Sequence, residues 1–198
     1  GSGKSTLLRA LLGLIPAQSG EVSWNGVRLD DPASALVPPR SAYTGQLPAL
    51  FSDTLRENVL SGSGQARLNR AVRLAVLEPD LDALGHGLDT PVGARGVKLS
   101  GGQLQRTAVA RMLARDADLL VFDDVSSALD ARTEAQLWDG LFGEGDVTCL
   151  VVSHRRAALQ RADRILLMVE GRIVDSGSLD ELLERQEEMR ALWAEDAG

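Results

Sequence analysis

Apolar residues fall along this chain in two textures. Unbroken apolar runs at 119–122, 149–152 and 165–169 have the length of strands. Runs without polar alternation suit strands buried on both faces, as in parallel α/β sheets. Residues 172–174 follow the third run around Glu170-Gly171. Residues 21–24 and 41–44 also read as strands, and the first turns at Asn25-Gly26, a hairpin signal. Between residues 53 and 116 the texture changes to helix and loop, with helical stretches near 53–60, 66–76 and 102–115. A helix over 5–12 ends near Gly13, with Pro16 beyond it. A last surface helix starts at Ser178, spaced from Glu181 as in a capping box, and runs to Trp193. The pattern predicts an α/β fold with a mostly parallel sheet flanked by helices. One domain spans 1–198, its core lobe formed by 1–46 and 116–198, with a helical subdomain inserted at 47–115.

Composition narrows the chemistry. The 198 residues carry 44% hydrophobic and 25% charged positions, ordinary for a globular domain with a sizeable core. The net charge of -7 disfavours wrapping nucleic acid, which calls for a basic face, so no nucleic-acid partner is expected. The single cysteine, Cys149, excludes an internal disulfide and a thiolate metal cluster, and a reducing compartment fits it. No stretch reaches the ~18 apolar residues of a membrane helix. No signal peptide is visible. Residue 1 lies inside a motif, so targeting information, if any, is expected upstream.

That motif is Gly1-Ser2-Gly3-Lys4-Ser5-Thr6, followed by the apolar helix of Leu7, Leu8, Leu11 and Leu12. It is the second half of G-x-x-x-x-G-K-[ST]. Glycines let backbone N–H groups converge on phosphate oxygens, Lys4 reaches the β- and γ-phosphates, and the Ser5 hydroxyl suits Mg²⁺. A Gly/Ser linker ahead of an ordinary helix would look the same in isolation. A second candidate is Asp123-Asp124, directly after the apolar run 119–122. Ligands of open α/β sheets bind at the carboxyl ends of strands. Asp123 is placed to hold Mg²⁺, and Asp124 to polarise a water that attacks the γ-phosphate. A solvated turn is the plain alternative. A third is Leu99-Ser100-Gly101-Gly102-Gln103-Leu104-Gln105-Arg106, which opens an Ala-rich helix. It offers a second anion site at a helix N-terminus, or simply a Gly-rich cap.

The order of these motifs decides between the alternatives. Residues 1–6, Gln46, Leu99 to Gln103, residues 121–124, Ser127-Ala128-Leu129-Asp130 and His154 resemble the ATP-binding cassette (ABC) family. They match its Walker A, Q-loop, signature, Walker B, D-loop and H-loop, in that order and over nearly the whole chain. The resemblance implies a P-loop NTPase core, the cofactors ATP and Mg²⁺, and Mg-dependent ATP hydrolysis that powers transport. It gives Gln46 the role of sensing the γ-phosphate and Mg²⁺, His154 that of holding the attacking water, and Asp130 a place across a dimer interface. The signature Leu99, Ser100, Gly101, Gly102 and Gln103 would contact ATP held by a partner's Walker A. The implied working unit is a head-to-tail dimer, homo- or heterodimeric, of two nucleotide-binding domains. It would be joined to a transmembrane domain, fused or separate, at the cytoplasmic face of the cell membrane. The chain by itself is expected to be soluble.

Two stretches look like exporter cassettes: 41–60, with Leu50-Phe51-Ser52-Asp53-Thr54-Leu55-Arg56-Glu57-Asn58, and Asp89-Thr90-Pro91-Val92-Gly93-Ala94-Arg95-Gly96. In exporters they meet intracellular loops of the membrane domain. Pro91 departs from the usual acid. Asp124 departs from the usual Glu and is one methylene shorter, so slow hydrolysis is expected. Paired exporters often combine one weak and one strong site, so a weakly hydrolytic half of a heterodimeric exporter is the first alternative. A soluble ABC ATPase is the second. The span between Gln46 and Leu99 is short for the coiled coil of DNA-repair versions, and no zinc-ligand set is present. A non-hydrolytic ATP-gated switch is a third. His86 reads as a solvated loop residue and Cys149 as core. The chain lacks the first Gly of the loop and what precedes it, which in the family supplies early strands and an aromatic residue stacking on adenine. Weak ATP binding and a marginal fold are therefore expected of the chain alone.

Overall fold

A computed structural model describes residues 1–93, 96–145 and 147–195. In chain order the elements are α1 (Lys4–Leu11), β1 (Val22–Trp24), β2 (Val27–Leu29), α2 (Pro32–Ala35), β3 (Ser41–Thr44), α3 (Leu55–Leu60), α4 (Leu68–Leu74) and α5 (Glu78–Ala83). They continue with α6 (Gly101–Leu113), β4 (Leu119–Asp123), α7 (Ala131–Gly143), β5 (Thr148–Val152), α8 (Arg156–Leu159), β6 (Ile165–Val169), β7 (Arg172–Gly177), α9 (Leu179–Arg185) and α10 (Glu187–Glu195). Short 3-10 turns lie at Gln65–Arg67, Gly87–Asp89 and Val125–Ala128. The chain divides into two compact units, Pro38–Leu150 and the pair of segments Gly1–Val37 and Val151–Gly198.

The 38–150 unit is built around a sheet of order β3-β4-β5. Strands β3 and β4 run parallel, with Ser41 opposite Leu119 and Thr44 opposite Phe122. Leu120, Val121 and Phe122 are all buried, as an unbroken apolar run requires. Phe122 meets the buried Trp138 of α7 edge-on, with ring centroids 5.1 Å apart. The Trp138 indole donates to Glu134 at 3.2 Å, so its polar edge is satisfied in the core. Removing either ring would cost about 3–5 kcal/mol on the scale of buried aromatic truncations. Helices α3 and α4 pack on the long α6, whose buried residues are mostly apolar, Ala108, Val109, Ala110, Met112 and Leu113, with Gln105 and Thr107 beside them.

The second unit holds two antiparallel hairpins. Asn25 and Gly26 both take positive φ, 48° and 79°, the geometry that Asn-Gly supplies between β1 and β2. Glu170 and Gly171 do the same between β6 and β7. Ile165 and Leu167 of β6 pack with Leu182 of α9 and Met189 of α10, while Leu166, Ile173 and Val174 stay exposed. This sheet is therefore covered on one face, not both as its apolar runs predict. The C-terminal helix also differs from expectation. Ser178 does cap α9 in a closed capping box with Glu181, but Gln186 adopts an extended conformation and separates α9 from α10. Helix α5, which the apolar pattern does not mark, fills part of the expected loop before the signature segment. Ala94 and Arg95 of the exporter-like stretch lie outside the described residues.

Candidate nucleotide site

The six residues of the phosphate loop sit in the unit of Gly1–Val37 and Val151–Gly198. Gly3 occupies the N-cap of α1 at φ 89°, a left-handed conformation that favours glycine, and no side chain caps the helix. The Gly3 carbonyl accepts from Leu7 N–H at 2.9 Å. Ser2 is anchored from outside the loop, its carbonyl accepting from Gly171 N–H at 3.1 Å. Gly3 also lies against the β6–β7 turn, since a Cβ there would stand 3.6 Å from Gly171 Cα. Lys4 Nζ folds back to donate to Ser2 Oγ at 3.0 Å. This is a helix N-terminus with its dipole and N–H groups directed into a glycine loop, the arrangement that holds anions. Ser5 and Thr6 lie in the first turn of that helix. His154 belongs to the same unit. It is exposed, and the following residue, Arg155, donates its N–H to Ser153 Oγ at 3.0 Å.

The other motifs lie in the 38–150 unit. Asp123 ends β4 with 0% exposure. Its Oδ2 accepts from the Tyr43 hydroxyl at 3.1 Å, across the β3–β4 pair. Gly45 makes room for that ring, because a Cβ there would lie 3.0 Å from the Tyr43 hydroxyl. Asp124 leaves the strand at φ 53°, a left-handed conformation unusual for a non-glycine residue. Its Oδ2 accepts from the Gln46 amide at 3.0 Å. The structure thus joins the two residues that the motif order assigns to sensing and to water activation. The buried Gln105 of α6 in turn donates to the Gly45 carbonyl at 3.3 Å, beside Gln46.

The signature segment forms a closed cap. Ser100 is the N-cap of α6, its Oγ accepting from Gln103 N–H at 3.3 Å, while Gln103 Oε1 accepts from Ser100 N–H at 2.9 Å. Leu99 precedes this cap, and Gly101 and Gly102 form the first helical turn. The D-loop touches it within the same unit: a Cβ on Gly102 would lie 3.2 Å from the Ala128 carbonyl. Ser127 Oγ donates back to the Asp124 carbonyl at 3.0 Å. Leu129 is buried. Asp130 caps α7 by accepting from Thr133 N–H at 3.0 Å and Thr133 Oγ1 at 2.7 Å. The Thr133 hydroxyl holds the Asp130 carboxyl below its usual range.

The oxygen donors suit the implied metal. Asp123 and Ser5 offer carboxylate and hydroxyl oxygens, the hard ligands that Mg²⁺ takes, and the Gln46 amide adds a carbonyl. No group of three or more His, Cys, Asp or Glu residues is assembled for a metal among the described residues. Mg²⁺ keeps waters and binds through one or two carboxylates plus substrate phosphates, so the chemistry of each of these donors, taken singly, suits it.

The exporter-like stretches lie side by side. Leu55 N–H donates to the Thr90 carbonyl at 3.1 Å and Val92 N–H to the Asp53 carbonyl at 2.9 Å. Next to them Leu47 is 92% and Phe51 64% exposed, and Leu50 is half-buried. The Arg111 guanidinium stands 5.3 Å from the Phe51 ring centroid and donates to the Asn58 carbonyl at 2.8 Å. His86 is exposed as expected. Cys149 is partly buried, and that burial pushes its thiol up to about 12. Tyr43 and Asp80 carry no signal in the linear sequence, and the partners of Gln105 and Arg106 are not marked there either. Each reaches its partner over 23 or more residues or through the β3–β4 register.

Comparison with known proteins agrees with the motif order. A family model described as ABC transporter matches residues 1–127. The ATP-dependent lipid A-core flippase of Burkholderia orbicola is 40% identical over 187 residues, which cover 92% of this chain and 31% of the flippase. The mycobactin import ATP-binding/permease protein IrtB of Mycolicibacterium thermoresistibile is 39% identical over 201 residues, 98% of this chain and 34% of that protein. A solved structure of a bacterial Atm1-family ABC exporter with ATP bound superposes with a TM-score of 0.90 at 32% identity, over 100% of this chain and 35% of that one. This chain spans about a third of the length of these relatives. With the P-loop half motif, the capped signature helix and the paired strand-end aspartates in the family's order and the family model matching residues 1–127, the chain belongs to the ABC transporter family.

Proposed function

We propose that this chain is the ATP-binding and ATP-hydrolysing cassette of an ABC transporter of exporter type. Nucleotide-driven dimerisation of two cassettes would power movement of a substrate through a transmembrane domain. The observation that carries this reading is the Gln46–Asp124 hydrogen bond, which links the nucleotide-sensing residue to the water-activating carboxylate. Residues 1–6 hold the phosphates through backbone N–H groups and Lys4. Ser5, Gln46 and Asp123 hold Mg²⁺, whose chemistry when bound is to neutralise charge on the β- and γ-phosphates. Tyr43 keeps Asp123 oriented. Asp124 accepts a proton from the attacking water as its oxygen bonds to the γ-phosphorus and the bond to the bridging β–γ oxygen breaks. His154 holds that water and the γ-phosphate. The signature residues Leu99 to Gln103 contact ATP bound by the partner cassette, and Ser127 to Asp130 face it across the dimer.

The helical subdomain at 47–115 carries the docking face for the membrane domain. Its support is the exposed pair Leu47 and Phe51 beside the joined stretches 53–55 and 90–92. Localisation at the cytoplasmic face of the membrane follows from that docking. No helix among the described residues is long and apolar enough to cross a membrane. Similarity extends both to a flippase and to an import protein, so the cassette serves as a common motor and direction is set elsewhere. In the transporter carrying this chain, phosphate release from ATP should require Mg²⁺. Failure of the protein either to bind or to hydrolyse ATP would overturn the reading.

A specific observation favours a second reading, the weakly hydrolytic half of a heterodimeric exporter. Asp124 is one methylene shorter than Glu and is already tied to Gln46 at 3.0 Å. Asp124→Glu should then raise turnover by about tenfold or more, since a displacement of ~1 Å can cost up to about a hundredfold. An unchanged rate would remove this second reading.

A further inference from the structure

The signature cap is also held from a helix that the motifs do not mention. Asp80 lies in α5, 23 residues before Gln103. Its carboxylate takes both arms of the Arg106 guanidinium, Nε to Oδ2 at 2.7 Å and Nη2 to Oδ1 at 2.9 Å. The same Oδ1 accepts from Gln103 Nε2 at 3.3 Å. The ion pair is mostly shielded, with side-chain exposures of 15% and 13% for Arg106 and Asp80. A bidentate, charge-assisted pair removed from bulk water is the strong and geometrically specific kind.

Both groups that Asp80 holds bear on the signature. Gln103 is the residue whose carbonyl oxygen closes the capping box on Ser100 N–H, so Asp80 fixes the amide from its other end. The Arg106 guanidinium lies over Gly102, where a Cβ would come 3.3 Å from Nη1 and 3.2 Å from the Ala128 carbonyl. The Arg106 guanidinium and the D-loop carbonyl of Ala128 thus both border the first turn of α6 at Gly102, and Asp80 holds the guanidinium there. Without Asp80 a cationic side chain loses its counter-charge in a confined place and the Gln103 amide keeps only its bond to Ser100 N–H.

Resting on the ATPase reading above, we infer that Asp80 is a positioning residue for the signature segment, acting on ATP bound by the partner cassette and not on ATP bound by its own chain. The alternative is a strap that merely stabilises α5. The two differ in which chain of the dimer feels the change.

The test uses Asp80→Asn, which keeps the volume and removes the charge, in the transporter carrying this chain. Mixed dimers are assembled with the two substitutions arranged in two ways. With Lys4→Ala on one chain and Asp80→Asn on the other, the intact phosphate loop faces an intact signature, and the ATPase rate should match that of a dimer carrying Lys4→Ala on one chain only. With both substitutions on the same chain, the intact loop faces the altered signature, and the rate should fall at least about tenfold below that value. Equal rates in the two arrangements would overturn the inference. Hydrogen–deuterium exchange without nucleotide supplies a readout independent of turnover. Asp80→Asn should speed exchange at 100–106 and leave 4–11 unchanged, and unchanged exchange at 100–106 would also overturn it. An unsubstituted protein that neither binds nor hydrolyses ATP would count against the ATPase reading alone, while the exchange result still decides the role of Asp80.

Discussion

Two helices of this molecule begin with the same vocabulary, glycine and serine followed by a polar residue, yet they are finished in opposite ways. At α1 the N-cap is Gly3, left-handed and without a side-chain cap, the form of helix start that suits an anion. At α6 the N-cap is Ser100, and the box with Gln103 satisfies the N–H groups of Ser100 and Gln103 from within the chain. Asp80 and Arg106 then brace that turn from outside. The lesson is that glycine content alone does not make a phosphate site. Which donors the chain has already satisfied decides whether a helix start grips a ligand or presents a fixed surface to one.

The largest expected effect breaks the α1 side of this contrast. Lys4→Ala should lower turnover by a factor of about 100–1,000, the scale of removing one preorganised electrostatic donor, measured as phosphate release. Next comes the α6 side. Ser100→Ala should lower stability by about 1 kcal/mol, as loss of an N-cap does, visible in denaturant unfolding. It should also slow turnover without weakening MgATP binding. Gly102→Ala sharpens the same point. Its Cβ would crowd the Ala128 carbonyl and the Arg106 guanidinium, so turnover should drop several-fold in a phosphate-release assay while circular dichroism stays unchanged.

The smallest effect lies far from either helix start. The paired Arg185 guanidinium, with help from Gln186, holds the Asp175 carboxyl down at about 2. A carboxylate depressed on folding contributes stability that is fully present above its unfolded pKa of ~3.9 and is lost as pH falls through about 2. Thermal melts between pH 5 and pH 2, ranges set by those values, should therefore show a decline that Arg185→Leu makes shallower.

Much of this was legible in the chain itself, for definable reasons. The strands at 41–44 and 165–169 fall where the sequence pattern predicts them, the second on an unbroken apolar run. Ser178 announces its helix through its three-residue spacing from Glu181. The chain does not announce what depends on distant partners. Helix α5 is short and has no fully buried residue, so it leaves no apolar stripe to find. Asp80 gains meaning only when α5 returns to α6. Tyr43 meets Asp123 only through the parallel register of β3 and β4. The break at Gln186 escaped because a capped, Leu-bearing segment gives no sign that its backbone turns extended, and the single covered face of β6–β7 escaped because an apolar run does not say how many faces are covered.

The most direct test of the division between the two helix starts is an MgATP binding isotherm, recorded by calorimetry at low temperature where turnover is slow. It is measured on the unsubstituted transporter, on Lys4→Ala and on Ser100→Ala. Binding should be lost in Lys4→Ala and retained within about twofold in Ser100→Ala, a change of under ~0.5 kcal/mol. Equal loss in both variants, or undiminished binding in Lys4→Ala, would contradict the assignment of α1 to the chain's own nucleotide and of α6 to its partner's.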